Sequence, residues 1–222
     1  MSAVRAIVSD FGGVLTSPLL HSFAAFQDSA GIPLEALGRA MGAAAERDGV
    51  HPLFELEKGR LTEADFLAKL EKGLRAELGR PVEMQGFAEA YFAHLETNEE
   101  LISYLRSLRD ERGLRLALLT NNVREWEARW RAMIPVDDLF ELVVDSAFVG
   151  MRKPEPEIYA LTLERLGLPA PAALLIDDIE VNCDAARTVG MGAVWFRSTE
   201  QAIDDVEAAL GPAPPRRRTV SP

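Results

Sequence analysis

Short apolar runs, nearly unbroken by polar residues, recur along the chain at Val4–Val8, Leu114–Thr120, Leu142–Asp145, Ala173–Asp178 and Ala193–Phe196. Runs of this length, rich in Val, Ile and Leu, read as strands buried on both faces. Between them the apolar positions fall three and four apart. Asn98 opens one such stretch with Leu101, Leu105 and Leu108 on one face, ending near Gly113. Trp126, Trp130 and Met133 form a second, expected to face the sheet. Ile158–Leu166 and Thr199–Leu210 supply two more. Strands alternating with helices at this spacing predict βαβ units, hence a Rossmann-like α/β core around a parallel sheet.

From Ser17 to Glu96 the pattern changes. No strand is visible, and Phe23/Phe26, Leu34/Leu37, Phe66/Leu70/Leu74 and Phe87/Tyr91/Leu95 make short helical stripes. Breaks fall at Gly31-Ile-Pro33, Gly49-Val-His-Pro52, Glu57-Lys-Gly-Arg60 and Gly79-Arg-Pro81, and Thr62-Glu-Ala-Asp65 reads as a capping box. The predicted organisation is therefore a core of residues 1–16 and 97–211, an all-helical insertion at 17–96, and a disordered tail at 212–222 rich in Pro and Arg. Lys58 and Arg60 read as solvated turn residues.

Composition narrows the partners. The net charge of -11 argues against nucleic acid or an anionic membrane surface, and leaves room for a small phosphorylated substrate if positive charge is gathered locally. A single cysteine, Cys183, excludes an internal disulfide and fits a reducing compartment. The first residues read as a core strand, and no apolar run approaches the roughly 18 residues of a membrane span. The expectation is a cytoplasmic protein of unspecified oligomeric state.

The chemistry gathers at the strand ends. In a parallel sheet all carboxyl ends share one edge, where ligands bind. Asp10, Thr120-Asn121 and Asp177-Asp178 close three of the five runs, and Lys153 lies in the loop between the last two of these groups. Such a set suits phosphoryl transfer: one carboxylate attacks phosphorus, a hydroxyl and a lysine hold its oxygens, and another carboxylate helps bind a hard cation such as Mg²⁺. Gly12 and Gly13 let the first loop turn sharply beside the bound group. His21, His51 and His94 show no metal-ligand spacing, Cys183 reads as a small core-facing residue, and Asp184 reads as a first-turn helix residue.

With Asp10-Phe-Gly-Gly-Val-Leu15, Leu118-Leu-Thr-Asn121, Arg152-Lys-Pro-Glu155 and Ile176-Asp-Asp178 in this order, the chain resembles the haloacid dehalogenase superfamily over residues 1 to about 210, its insertion resembling a C1-type cap. Gly150–Tyr159 and Leu175–Asn182 resemble the branch that includes the N-terminal phosphatase domain of soluble epoxide hydrolase. The resemblance implies Asp10 as nucleophile, Thr120 and Asn121 as phosphate binders, and Lys153 as the charge clamp. It further implies Mg²⁺ held by Asp10, the Gly12 carbonyl and Asp178, with Asp177 beside them.

One position departs from the pattern. Most phosphatases of the superfamily carry a second Asp two residues after the nucleophile, which protonates the leaving group and later activates water; here it is Gly12. General acid–base catalysis is worth about 10²–10⁴ in rate. Rates are therefore expected to depend steeply on the leaving group; equal rates for alkyl and aryl esters would point to another acid, with a cap side chain such as His21 or Lys58 the first place to look. The leading expectation is a Mg²⁺-dependent phosphatase or phosphotransferase acting on a small phosphorylated metabolite through an aspartyl-phosphate at Asp10. The alternatives are a metal-independent 2-haloacid dehalogenase and a catalytically idle phosphate- or protein-binding domain.

Overall fold

The computed structural model describes residues 4–17 and 31–211. The Phe23/Phe26 stripe, His21 and the tail at 212–222 lie outside them. Five strands, β1 (Ala6–Ser9), β2 (Arg115–Thr120), β3 (Leu142–Asp145), β4 (Ala173–Asp177) and β5 (Gly192–Trp195), form one sheet in the order β3-β2-β1-β4-β5, every neighbouring pair parallel. All five predicted runs are strands, with ends displaced by a residue or two. β1 and β4 pair in the register Ser9↔Ile176, so Asp10 and Asp177 emerge side by side at the centre of the carboxyl edge.

Successive residues of each strand serve different layers, as the strand repeat of two requires. Ile7, Leu116, Leu118, Leu174 and Ile176 point into one core, and Ala6, Val8, Ala117, Leu119 and Leu175 into the other. Both faces are covered, which explains why these strands read as continuous apolar runs.

The chain between β1 and β2 holds α1 (Leu34–Asp48), α2 (Pro52–Glu57), α3 (Glu63–Leu78) and α4 (Phe87–Ala93), followed by α5 (Glu99–Arg112). The six-residue α2 falls between two glycine-marked breaks and is too short for periodicity to reveal; Pro52 at its first position suits a helix start. Thr62 caps α3 by accepting from the Asp65 amide at 3.1 Å, but Asp65 returns to the Thr62 hydroxyl rather than to its backbone, so only half of the box forms. Asn98 caps α5 as predicted, accepting from Leu101 N at 3.2 Å. Along α5, Leu101, Ile102, Leu105 and Leu108 are buried in the same core as Ile7, Leu116 and Leu118.

The tryptophan stripe does not form one helix. A 3₁₀ turn at Arg124–Trp126 precedes the short α6 (Glu127–Arg131), and the tighter winding separates the two rings. Trp130 is fully buried against Phe11, with centroids 5.4 Å apart. Trp126 turns instead toward the insertion, meeting Tyr91 at 4.9 Å and Phe92 at 5.4 Å and donating from Nε1 to Glu63 at 2.9 Å.

The remaining helices are α7 (Val136–Leu139), α8 (Ser146–Val149), α9 (Pro156–Leu166), α10 (Glu180–Thr188) and α11 (Thr199–Leu210). Ile158 and Tyr159 of α9 and Ala186 of α10 fill the second core; Ala202 and Val206 of α11 join the first. Among the described residues no helix is long and apolar enough to cross a membrane.

Candidate active site

Asp10 follows β1 directly, its amide donating to the Ile176 carbonyl at 2.9 Å, one more rung of the β1–β4 ladder. Its Oδ1 accepts from Phe11 N at 2.7 Å and faces the Lys153 ammonium at 2.8 Å. Among the described residues Oδ2 has no such partner, and is the oxygen left to react. The next turn is made by Gly13 at φ +78°, where an added Cβ would lie 2.3 Å from Asp178 Oδ2. A glycine is required there twice over, for the backbone conformation and for the close approach of the carboxylate.

Lys153 is the hub. Its Nζ sits 2.8 Å from Asp10 Oδ1 and 2.6 Å from Asp177 Oδ2, and the side chain is only 1% exposed. Asn121 fixes the lysine's backbone through two hydrogen bonds: Lys153 N donates to Asn121 Oδ1 at 2.8 Å, and Asn121 Nδ2 donates to the Lys153 carbonyl at 2.9 Å. The amide predicted to bind phosphate thus positions the lysine.

Asp177 is fully buried and makes three polar contacts. Oδ2 takes Lys153, while Oδ1 accepts from Ile179 N and Asn182 Nδ2, both at 2.9 Å. Asn182 is in turn tied by its carbonyl to the Tyr159 hydroxyl at 2.9 Å. Sequence reasoning gave Asn182 no role; a buried amide five residues after a buried Asp, within one helical turn of the loop, was the available signal.

Asp10, Asp177 and Asp178 each bring a carboxylate oxygen to within 4.8 Å of the others. Burial pushes Asp10 up to about 7, with Lys153 opposing and Asp177 and Asp178 adding to the rise. Asp178 rises to about 6, from burial and then Asp177. Burial disfavours the Lys153 ammonium, yet the two carboxylates more than offset this and hold its pKa above the ordinary lysine range. Three crowded carboxylates against one ammonium leave negative charge that a hard cation would satisfy. Asp177, Asp10 and Asp178 could each offer it an oxygen, and Asp177 is the most heavily committed of the three to protein partners.

Above this edge lies a cavity of about 170 Å³. Gly12, Thr120 and Asn121 form its polar floor, and its walls include Leu37, Leu56, Phe66, Phe87, Tyr91 and Trp126. Thr120, 1% exposed, ends β2 here as predicted. Glu57, at the end of α2, also borders the cavity and escaped the sequence reading because its turn looked solvated.

That turn is docked. Glu57 Oε2 accepts from Arg152 Nε at 2.5 Å, Lys58 pairs with Glu155, and Arg60 donates to the Gly150 carbonyl at 3.3 Å. Gly59, at φ +64°, is pressed so closely on the core that a Cβ would stand 2.2 Å from the Ala147 carbonyl. Lys58 is therefore held by Glu155 instead of being solvated. Of the other candidates, His51 precedes α2 and stacks on Phe54 at 4.4 Å, and His94 follows α4. Cys183 is buried with its thiol pushed up to about 12, chiefly by burial, and is a core residue as expected. Asp184 lies in the second turn of α10 rather than the first and pairs with Arg187 at 2.7 Å. Asp145, at the end of β3, caps α8 through Oδ1 at 2.9 Å from Ala147 N.

Known proteins share this architecture. "Phosphatase MT3486" of Mycobacterium tuberculosis is 30% identical over 206 residues, 92% of either chain. Mouse "Acyl-CoA dehydrogenase family member 10" is 27% identical and pig "Bifunctional epoxide hydrolase 2" 26% identical, covering 93% and 94% of this chain. The chain spans only 19% of the mouse protein and 39% of the pig protein. Among solved structures, the haloacid dehalogenase family enzyme BT-2542 of Bacteroides thetaiotaomicron superposes with a TM-score of 0.63 at 23% identity, covering 86% of this chain and 93% of its own; that protein was crystallised with magnesium and inorganic phosphate. A family model for haloacid dehalogenase-like hydrolases matches residues 4–190. The chain belongs to the haloacid dehalogenase-like hydrolase family.

Proposed function

We propose that this hydrolase is a Mg²⁺-dependent phosphatase acting on a small phosphate ester through an aspartyl-phosphate at Asp10. The observation that carries the reading is the buried Lys153 ammonium clasped between Asp10 and Asp177, with Asp178 beside them at the same sheet edge. Relatives named as phosphatases support it.

In this reading Asp10 Oδ2 attacks phosphorus and the ester oxygen departs; water then attacks phosphorus and releases Asp10. Lys153 offsets charge on the transferring group, its position fixed by Asn121 and Asp177. Thr120 offers its hydroxyl from the cavity floor. Asp10, Asp178 and the Gly12 carbonyl would hold Mg²⁺, which when bound supplies positive charge against the negative build-up. Asp177 holds the Lys153 ammonium in place and completes the carboxylate cluster. The carboxylate excess favours a cation-assisted phosphatase over a metal-free dehalogenase. Residues 17–96 serve as the cap, and the docked Glu57–Arg60 turn excludes water from one side of the site.

The test is hydrolysis of 4-nitrophenyl phosphate by purified protein. The reading expects turnover that needs Mg²⁺, stops with EDTA and disappears in Asp10→Asn. Turnover unaffected by EDTA, or persisting in Asp10→Asn, contradicts it, and no turnover of any phosphate ester leaves the idle-domain alternative.

A further inference from the structure

We infer that Glu57, reaching in from the helical insertion, supplies the proton that Gly12 cannot. This rests on the phosphatase reading above. Of the described residues lining the cavity over Gly12, Thr120 and Asn121, only Glu57 and Tyr91 titrate. Tyr91 is carried further above its ordinary range, chiefly by burial and then by Asp10 and Glu57, which makes it a poor acid for the first step.

Glu57 is held at the rim of this cavity by a fixed partner. Arg152 Nε holds Oε2 at 2.5 Å, and the Arg152 guanidinium is itself seated 4.0 Å over the Phe54 ring. The carboxyl group is thus oriented from one side. Oε1 receives no hydrogen bond among the described residues and is left for the cavity. Glu57 also lies within electrostatic reach of Lys153, whose ammonium touches Asp10. Burial raises its pKa above the ordinary glutamate value despite Arg152, and so favours a carboxyl group that holds a proton.

The proton balance closes over the cycle. As Asp10 bonds to phosphorus and the P–O bond to the alcohol breaks, Glu57 gives its proton to the departing oxygen and becomes a carboxylate steadied by Arg152. That carboxylate then takes a proton from the water attacking the aspartyl-phosphate. Inorganic phosphate leaves, Asp10 is regenerated and Glu57 is again protonated. Because the Arg152–Glu57 contact also docks the insertion, the acid is in place only when the turn is closed over the site.

Leaving-group dependence tests this and separates it from a purely structural strap. An alkoxide needs the proton and a nitrophenolate scarcely does, so Glu57→Gln, which retains an oxygen for Arg152, should lower kcat/KM for an alkyl phosphate about 10²-fold more than for 4-nitrophenyl phosphate. Release of nitrophenol should also show a burst, because the phosphoenzyme now hydrolyses slowly. An equal loss on both esters would show that Glu57 only holds the turn, and no loss would place the acid elsewhere. If the unsubstituted protein hydrolyses neither ester, the phosphatase reading falls and this assignment with it; if it hydrolyses both and the ratio is unmoved by Glu57→Gln, only the assignment falls.

Discussion

Replacing Lys153 by Met keeps the length and most of the volume of the side chain and removes its charge. Asp10 and Asp177 then face each other with oxygens inside 4.8 Å. At an effective dielectric of about 20, two charges at that separation repel by about 3 kcal/mol, and removing one partner from a buried ion pair costs about 3–5 kcal/mol. Against a total stability of about 5–15 kcal/mol, such a loss is plain in a urea titration. Its pH dependence identifies the cause. Asp10 already titrates near 7, and loss of the ammonium moves it higher. A carboxyl whose folded pKa is raised contributes stability at low pH that is lost as pH climbs through that value. The destabilisation of Lys153→Met in EDTA should therefore be smaller at about pH 5, where Asp10 is protonated and only the pairing with Asp177 is lost, and grow as pH rises past about 7. Adding Asp177→Asn should recover part of it at the higher pH. Equal losses at both pH values would refute the electrostatic account and leave packing as the cause.

Other substitutions probe the supports of the site. Asn182→Ala removes the 2.9 Å bond to Asp177 Oδ1, so Asp177 and Lys153 lose orientation; steady-state kinetics should show activity down about 10- to 100-fold with KM less affected, and an unchanged kcat would assign Asn182 to packing alone. Gly59→Ala puts a Cβ 2.2 Å from the Ala147 carbonyl, whereas Gly49→Ala, also at positive φ, meets nothing within 4 Å. Both should destabilise by about 1 kcal/mol or more in thermal melts, but only Gly59→Ala should raise KM by displacing the turn; equal KM values would mean the docking does not shape the site.

The sheet was legible because each strand is buried on both faces and so leaves an unbroken apolar run, as at Leu174–Ile176. The site was legible because a parallel sheet brings every strand end to one edge, which places Asp10 beside Asp177 across 167 residues of chain. Contacts that depend on how the insertion docks could not be read. Glu57 was only the first residue of a turn-marking break until Arg152, 95 positions away, was seen to hold it, and Trp126 belonged to a helical stripe until a 3₁₀ turn rotated it toward Tyr91. Asn121 illustrates a different limit: the pattern marked it as a phosphate binder, whereas its side chain bonds the Lys153 backbone.

In the proposed mechanism the transferred phosphoryl group rests on Asp10. Protein mixed with Mg²⁺ and 4-nitrophenyl phosphate, quenched in acid during turnover, digested and analysed by mass spectrometry, should carry one phosphoryl group on the peptide containing Asp10, and the Asp10→Asn protein should carry none. Turnover with the phosphoryl group found on another residue, or undiminished turnover by Asp10→Asn, would contradict it.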